Sequence, residues 1–156
     1  MNEATAPSDL IDRLSDALRH QKANLAIYQH YREAHPREDF AALLDSLCRD
    51  AQEAIEGLAS ALRRAGQSPL TIEAAPRLVE QGFDRRGTKS RLQFALVGIQ
   101  NNAAYYRAQL ARADEPEVQD LWAELLAVSE RQLPRVKALL QSLEHREATE
   151  ERQAHP

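Results

Sequence analysis

The chain has 156 residues, 43% of them hydrophobic, and a formal charge of −4, so we predict one domain with a substantial core and no electrostatic attraction to nucleic acid. No uncharged apolar run approaches the ~20 residues of a membrane span, and residues 1–8 lack the features of a secretory signal, which favours a cytoplasmic protein. Cys48 is the only cysteine, which excludes an internal disulfide.

Residues 9–66 carry two amphipathic patterns that predict a first helical hairpin. Apolar side chains recur at three and four residues over residues 9–34, and the His35-Pro36 pair ends this first helix, because a residue before proline disfavours helical geometry. The proline opens a second helix that ends at Gly66, a residue suited to a left-handed C-terminal cap. The second apolar stripe comprises Phe40, Leu43, Leu44, Leu47, Ala51, Ala54, Ile55, Leu58, Ala61 and Leu62.

Residues 67–87 are predicted to form a long crossover, because they contain Pro69, Pro76, Gly82 and Gly87 as helix breakers. A helix of ~28 residues is about 42 Å long, whereas 21 residues can stretch to roughly 70 Å. The connection can therefore travel the length of the molecule, with slack for a helical turn, and the second and third helices are expected to run parallel.

Residues 88–144 predict the second hairpin. The fourth helix is expected to start at Pro116 with Asp114 or Glu115 as its cap, and Pro134 inside it should kink the helix. The inner face of the third helix comprises Leu92, Ala95, Leu96, Ile99, Asn102, Ala103, Tyr106 and Leu110, and that of the fourth runs from Val118 to Leu143.

The two ends of the chain lie outside this pattern. Residues 1–8 are treated as an N-terminal extension, with Ser8 placed to cap the first helix. Residues 145–156 are charged and lack periodicity, which predicts a frayed or disordered tail.

The second hairpin repeats the first without a gap at a shift of 78 residues (91 minus 13), which overlays residues 13–62 on residues 91–140. This match indicates a duplicated hairpin, although two unrelated amphipathic hairpins with a common period would also produce it. The identical pairs are Arg13/Arg91, Leu14/Leu92, Ala17/Ala95, Leu18/Leu96, Asn24/Asn102, Ala26/Ala104, Tyr28/Tyr106, Leu43/Leu121, Leu47/Leu125 and Leu62/Leu140.

Residues 18–28 and 95–106 resemble the first helix of each rubrerythrin-like hairpin, where a ligand glutamate precedes a tyrosine by about two turns. Residues 47–58 and 125–136 resemble the second helix, where that family keeps a Glu-x-x-His motif. Over residues 9–144 the chain is thus similar to the ferritin-like superfamily, including small bacterial four-helix proteins. The resemblance implies an all-α four-helix bundle made of two hairpins joined by a long crossover.

The family's di-iron ligands are missing at the positions that the resemblance assigns to them. A di-iron site needs carboxylate and imidazole ligands, so we predict no metal. No motif for another cofactor is recognisable, and none is predicted. A register shift of one residue would bring in Asp50 and Glu53, but their repeat mates are Val128 and Arg131. The assigned positions hold Gln21, Ile99, Ala51 with Ala54, and Ser129 with Gln132.

Neutral polar side chains take the place of the ligands at mid-bundle. They are interpreted either as a hydrogen-bonded layer that sets helix register or as a pocket for a small polar ligand. The members of this polar layer are Gln21, Asn24, Tyr28, Asn102, Tyr106, Ser129 and Gln132.

No catalytic constellation is recognisable, so the sequence favours a non-catalytic binding, scaffolding or stress-associated protein. The alternative is a divergent metal-dependent oxidase or peroxidase that uses Asp50, Glu53 and Glu130. A homodimer, with Trp122 and Phe40 as core or as anchors, is left open. So is a phosphate or acidic partner at the basic cluster Arg85, Arg86, Lys89 and Arg91.

Overall fold

The computed structural model describes residues 5–112 and 115–154, with side chains at 9–112 and 115–153. Every regular element in that part of the chain is helical, which confirms the all-α prediction. The elements are α1 (Thr5–Glu33), α2 (Glu38–Arg64), a 3₁₀ turn (Pro69–Thr71), α3 (Pro76–Phe83), α4 (Thr88–Arg112) and α5 (Pro116–Ala154).

The four long helices α1, α2, α4 and α5 form the predicted bundle of two hairpins. Helices α1 and α4 are antiparallel, because Arg13 near the start of α1 donates to Gln109 near the end of α4, while Arg91 at the start of α4 lies over the Tyr31 ring. Since each short turn makes its own hairpin antiparallel, α2 and α4 run parallel, as the crossover length predicts. This is the ferritin-like arrangement of a four-helix bundle.

The helix ends agree with the sequence at some positions and differ at others. Gly66 adopts φ 89°, its N–H bonds to Arg63 and the N–H of Gln67 bonds to Leu62, which is the Schellman cap expected after α2. Helix α1 begins at Thr5, so the cap predicted at Ser8 is wrong, and α2 begins two residues after Pro36.

At the C-terminal side, α5 continues through Ala154, where the sequence predicts a disordered tail from residue 145. Residues of the tail are joined to the bundle, because Lys89 pairs with Glu147 and Arg146 lies 4.0 Å from Asp39. Asp114, one of the two predicted caps of α5, lies outside the described residues.

The crossover contains a helix, α3, that packs against α1. The Tyr31 hydroxyl donates to the Gly82 carbonyl at 2.7 Å, and Phe83 stacks on His30 with ring centroids 4.1 Å apart. A Cβ atom at Gly82 would lie 2.6 Å from the Cδ1 of Ile27, so the absence of a side chain allows this close approach. The connection is therefore tied to the bundle and does not span it as a free loop.

The core divides into two apolar clusters, one toward each end of the bundle. Leu14, Leu58 and Trp122 belong to one cluster, and Tyr31 and Phe40 belong to the other. Trp122 is 2% exposed and Phe40 is 0% exposed, so both are core residues and the alternative that they anchor a dimer is wrong. The predicted polar layer lies between the two clusters.

Candidate functional site

A cavity of about 90 Å³ lies in the middle of the bundle, and all four long helices line it. Its size is compatible with a small number of water molecules or a ligand of a few heavy atoms. The predicted ligand-position residues Gln21, Ile99, Ala51, Ala54, Ser129 and Gln132 all line this cavity.

Six of the seven residues of the polar layer line the cavity: Gln21, Asn24, Tyr28, Asn102, Ser129 and Gln132. Tyr106 does not, but its hydroxyl accepts a hydrogen bond from Nε2 of Gln21 at 2.6 Å. This bond joins α1 to α4 across the core. On the other side, Nε2 of Gln132 donates to the Asp50 carboxylate at 2.9 Å and joins α5 to α2.

Three side chains of the cavity wall are deeply buried and have no hydrogen-bond partner among the described residues. Asn24 is 7% exposed, and Tyr28 and Ser129 are each 4% exposed. Within the described part of the chain, no fully buried side-chain N or O atom is left unsatisfied. The polar atoms of these three residues are therefore reached from the cavity, where a bound molecule can satisfy them.

Three carboxylates also line the cavity, and they all come from α2 and α5. Asp50 is half-buried, whereas Glu53 and Glu124 are exposed, which places the latter two at the outer side of the site. Sequence reasoning considered Asp50 and Glu53 only under a shifted register and missed Glu124. The sequence does contain an indication that Glu124 faces the site, because Glu124 and Gln132 are eight residues apart and therefore lie on one face of α5.

Small side chains on α2 leave the space for the cavity. Ala51 and Ala54 lie on the inner face of α2, where a larger side chain would occupy the space. One turn further on, a Cβ atom at Gly57 would lie 3.1 Å from Cδ1 of Leu121, so α2 and α5 pack closely there. The cavity is thus bounded along α2 by the close contact between Gly57 and Leu121, and at its outer side by carboxylates.

Burial raises the pKa of both tyrosine hydroxyls of the polar layer. It raises the pKa of Tyr28, and the neighbouring Tyr106 and Asp50 add to the increase. It raises the pKa of Tyr106 to about 12, although the hydrogen bond from Gln21 acts in the opposite direction. At neutral pH both hydroxyls are protonated, as any tyrosine is, and can donate as well as accept a hydrogen bond.

The donor set of the cavity does not fit a di-iron centre. Such a centre takes glutamates from two helices and a Glu-x-x-His pair from each of the other two. Here the α1 and α4 positions are Gln21, Asn24, Ile99 and Asn102, which offer no carboxylate, and no histidine lines the cavity. Across the described residues, no group of three or more His, Cys, Asp or Glu side chains could hold a metal ion.

Other sequence candidates lie away from this cavity. Glu130 and Pro134 are exposed and do not line it, so the third acid of the predicted oxidase site is not brought to the other two. In the basic cluster, Arg91 and Arg85 lie over the rings of Tyr31 and Phe94, respectively. None of the described helices is long and apolar enough to cross a membrane.

The fold is shared with solved ferritin-like proteins. A ferritin-like diiron-carboxylate protein from Bacillus anthracis str. Ames is 18% identical, with a TM-score of 0.72 over 86% of this chain and 96% of that chain. A mutant of Dps1 from Mycobacterium smegmatis is 16% identical, with a TM-score of 0.70 over the same shares.

A dodecameric thioferritin, the bacterioferritin-related protein from Bacteroides fragilis, is 16% identical, with a TM-score of 0.73 over 92% of this chain and 90% of that chain. No protein-family model and no curated protein matches the sequence. The chain therefore has the ferritin-like bundle fold, as the helical segments and their spacing predict.

Proposed function

We propose that this protein is a non-catalytic binding protein of ferritin-like fold that takes a small polar ligand in its mid-bundle cavity. The observation that carries the proposal is the set of three deeply buried side chains, Asn24, Tyr28 and Ser129, that line the cavity without a protein partner. The polar atoms of these side chains open to the cavity, so a complementary molecule bound there can form hydrogen bonds with all three residues. A purely structural layer would satisfy these groups internally.

The test is a thermal-shift screen of small polar metabolites against the wild-type protein and a variant with a filled cavity. Ala54→Leu places a larger side chain in the cavity, and Ala104→Leu places the same side chain on the exposed face of α4 as the matched control. We expect a stabilising compound to act on the wild type and on Ala104→Leu but not on a folded Ala54→Leu. If no polar compound stabilises the wild type, the proposal is wrong.

A metal-dependent oxidase is the second candidate, and one observation favours it: Asp50, Glu53 and Glu124 all line the cavity. The absence of carboxylates from α1 and α4 among the lining residues weighs against it. Metal analysis of protein purified from iron-fed cells separates the two functions, since a di-iron enzyme should retain about two irons per chain. That result would overturn the binding function.

For quaternary structure we propose a cytoplasmic homodimer. The Bacteroides fragilis protein is described as dodecameric, so this fold supports self-association in a protein of similar shape. Light scattering on the eluted peak of a gel-filtration column measures the mass directly. A mass of one chain at micromolar concentration would contradict the dimer and leave the ligand site unaffected, because that site lies within one bundle.

A further inference from the structure

We propose that the cavity recognises the primary ammonium group of a small organic cation. This inference rests on the proposed binding function and specifies its ligand. It follows from three properties of the described lining residues: their charge, their hydrogen-bonding capacity and the scarcity of aromatic rings.

The charge of the lining favours a cation. It contains three carboxylates, Asp50, Glu53 and Glu124, and no Lys or Arg, which gives a formal charge of −3. A cleft lined by one sign of charge raises the local concentration of ions of opposite sign. An anionic ligand would enter against this potential and meet no cationic partner on the lining.

The hydrogen-bonding groups left available are mainly acceptors. Gln21 and Gln132 use their Nε2 atoms for Tyr106 and Asp50, so their carbonyl oxygens remain free of protein partners among the described residues. The three carboxylates can only accept, whereas Asn24, Asn102, Tyr28 and Ser129 can both accept and donate, so acceptor atoms outnumber donor atoms on the lining. A primary ammonium donates three hydrogen bonds and accepts none, which matches this surplus.

The aromatic content and the volume exclude larger cations. Tyr28 is the one aromatic residue of the lining, whereas quaternary ammonium groups are held in cages of several aromatic faces. The cavity of about 90 Å³ is also smaller than the ~150 Å³ that accommodates benzene. The bound group therefore consists of the ammonium and a short alkyl stem.

The experiment compares ligands of similar size and different charge by NMR titration of the intact protein. Ethylammonium is the test compound, ethanol and acetamide are the neutral analogues, and tetramethylammonium is the cation without N–H donors. Asp50→Asn removes one charge and keeps an oxygen that can accept from Gln132, and Glu56→Gln on the exposed side of α2 is the control for charge. The side-chain amide signals of Asn24 and Asn102 report on binding at the cavity.

We expect ethylammonium to shift these signals, with an affinity that Asp50→Asn lowers by about 10- to 100-fold, the effect of losing a charge-assisted hydrogen bond. Glu56→Gln should change the affinity less than about twofold, since its charge lies off the lining. If the neutral compounds bind as well as ethylammonium and Asp50→Asn has no effect, the ammonium inference is wrong and the binding function stands. If no compound of either kind shifts the signals, both are overturned.

Discussion

The contact between Gly82 and Ile27 makes the anchoring of the crossover testable by one substitution. In Gly82→Ala the added Cβ would lie 2.6, 2.7 and 3.0 Å from Cδ1, Cγ1 and Cγ2 of Ile27, whereas carbon atoms pack at about 3.5–4.0 Å. Ile27 is 2% exposed and β-branched, so it cannot rotate away. Helix α3 must therefore move, which weakens the hydrogen bond from Tyr31 to the Gly82 carbonyl.

Overpacking costs about 1–3 kcal/mol, and alanine in place of glycine in a helix returns about 0.5–1 kcal/mol. We expect a net fall in the free energy of unfolding of about 0–2.5 kcal/mol and a fall in Tm of up to about 10 °C, measured by urea and thermal denaturation. Gly98→Ala is the control, because its Cβ would have only Asn24 Oδ1 within reach, at 4.0 Å, and it should stabilise the protein. The reasoning is refuted if Gly82→Ala is as stable as Gly98→Ala.

Three further predictions concern the polar interactions. Tyr106→Phe leaves Nε2 of Gln21 without its partner and should lower the free energy of unfolding, measured in urea, by about 1–3 kcal/mol. The double variant Tyr106→Phe/Gln21→Leu should lose less stability than the sum of the two single variants. Arg13→Met removes the hydrogen bonds to Gln109 and Glu115 and should lower the free energy of unfolding by about 1.5–3 kcal/mol in the same assay. An unchanged denaturation midpoint would contradict the role of these two bonds in holding α1 to the second hairpin. Burial raises the pKa values of Tyr31, Tyr105 and Tyr106 to about 12, above the unfolded value of 10.0, so the unfolded chain loses these protons at lower pH than the folded protein. The free energy of unfolding should therefore keep its full contribution from these groups below pH 10 and fall as pH rises toward 12. Phenolate absorbance that titrates near pH 10 in the folded protein would show that the rings are not buried.

The sequence alone could not predict how α3 packs against α1. Its segment showed breakers and a short apolar patch, and whether it held a helix stayed open. The hydrogen bond from Tyr31 to Gly82 and the stacking of Phe83 on His30 join residues about 50 positions apart, and no local pattern reports such pairs. The tail was missed for a related reason, since its contacts to Asp39 and Lys89 are long-range ion pairs.

The candidate site was predicted in part. Helical periodicity placed Gln21, Asn24 and Ser129 on inner faces, and the spacing of the hairpins placed them at one level of the bundle, where the structure brings them together. Whether the polar side chains of such a layer hydrogen-bond to one another depends on differences of a few tenths of an ångström in the distances between them. Gln21 finds the Tyr106 hydroxyl, whereas Asn24 finds no partner among the described residues.

By itself, the sequence determined the helices and their pairing into two hairpins, because these follow from local periodicity, and it showed which residue types stand at the positions that the resemblance assigns to metal ligands. Only the tertiary structure decided that a cavity is present and that Asp50, Glu53 and Glu124 border it. The reason is geometric: the space beside Ala51 and Ala54 depends on how closely α2 approaches α5, and the direction of each carboxylate depends on the rotation of its helix against its neighbours.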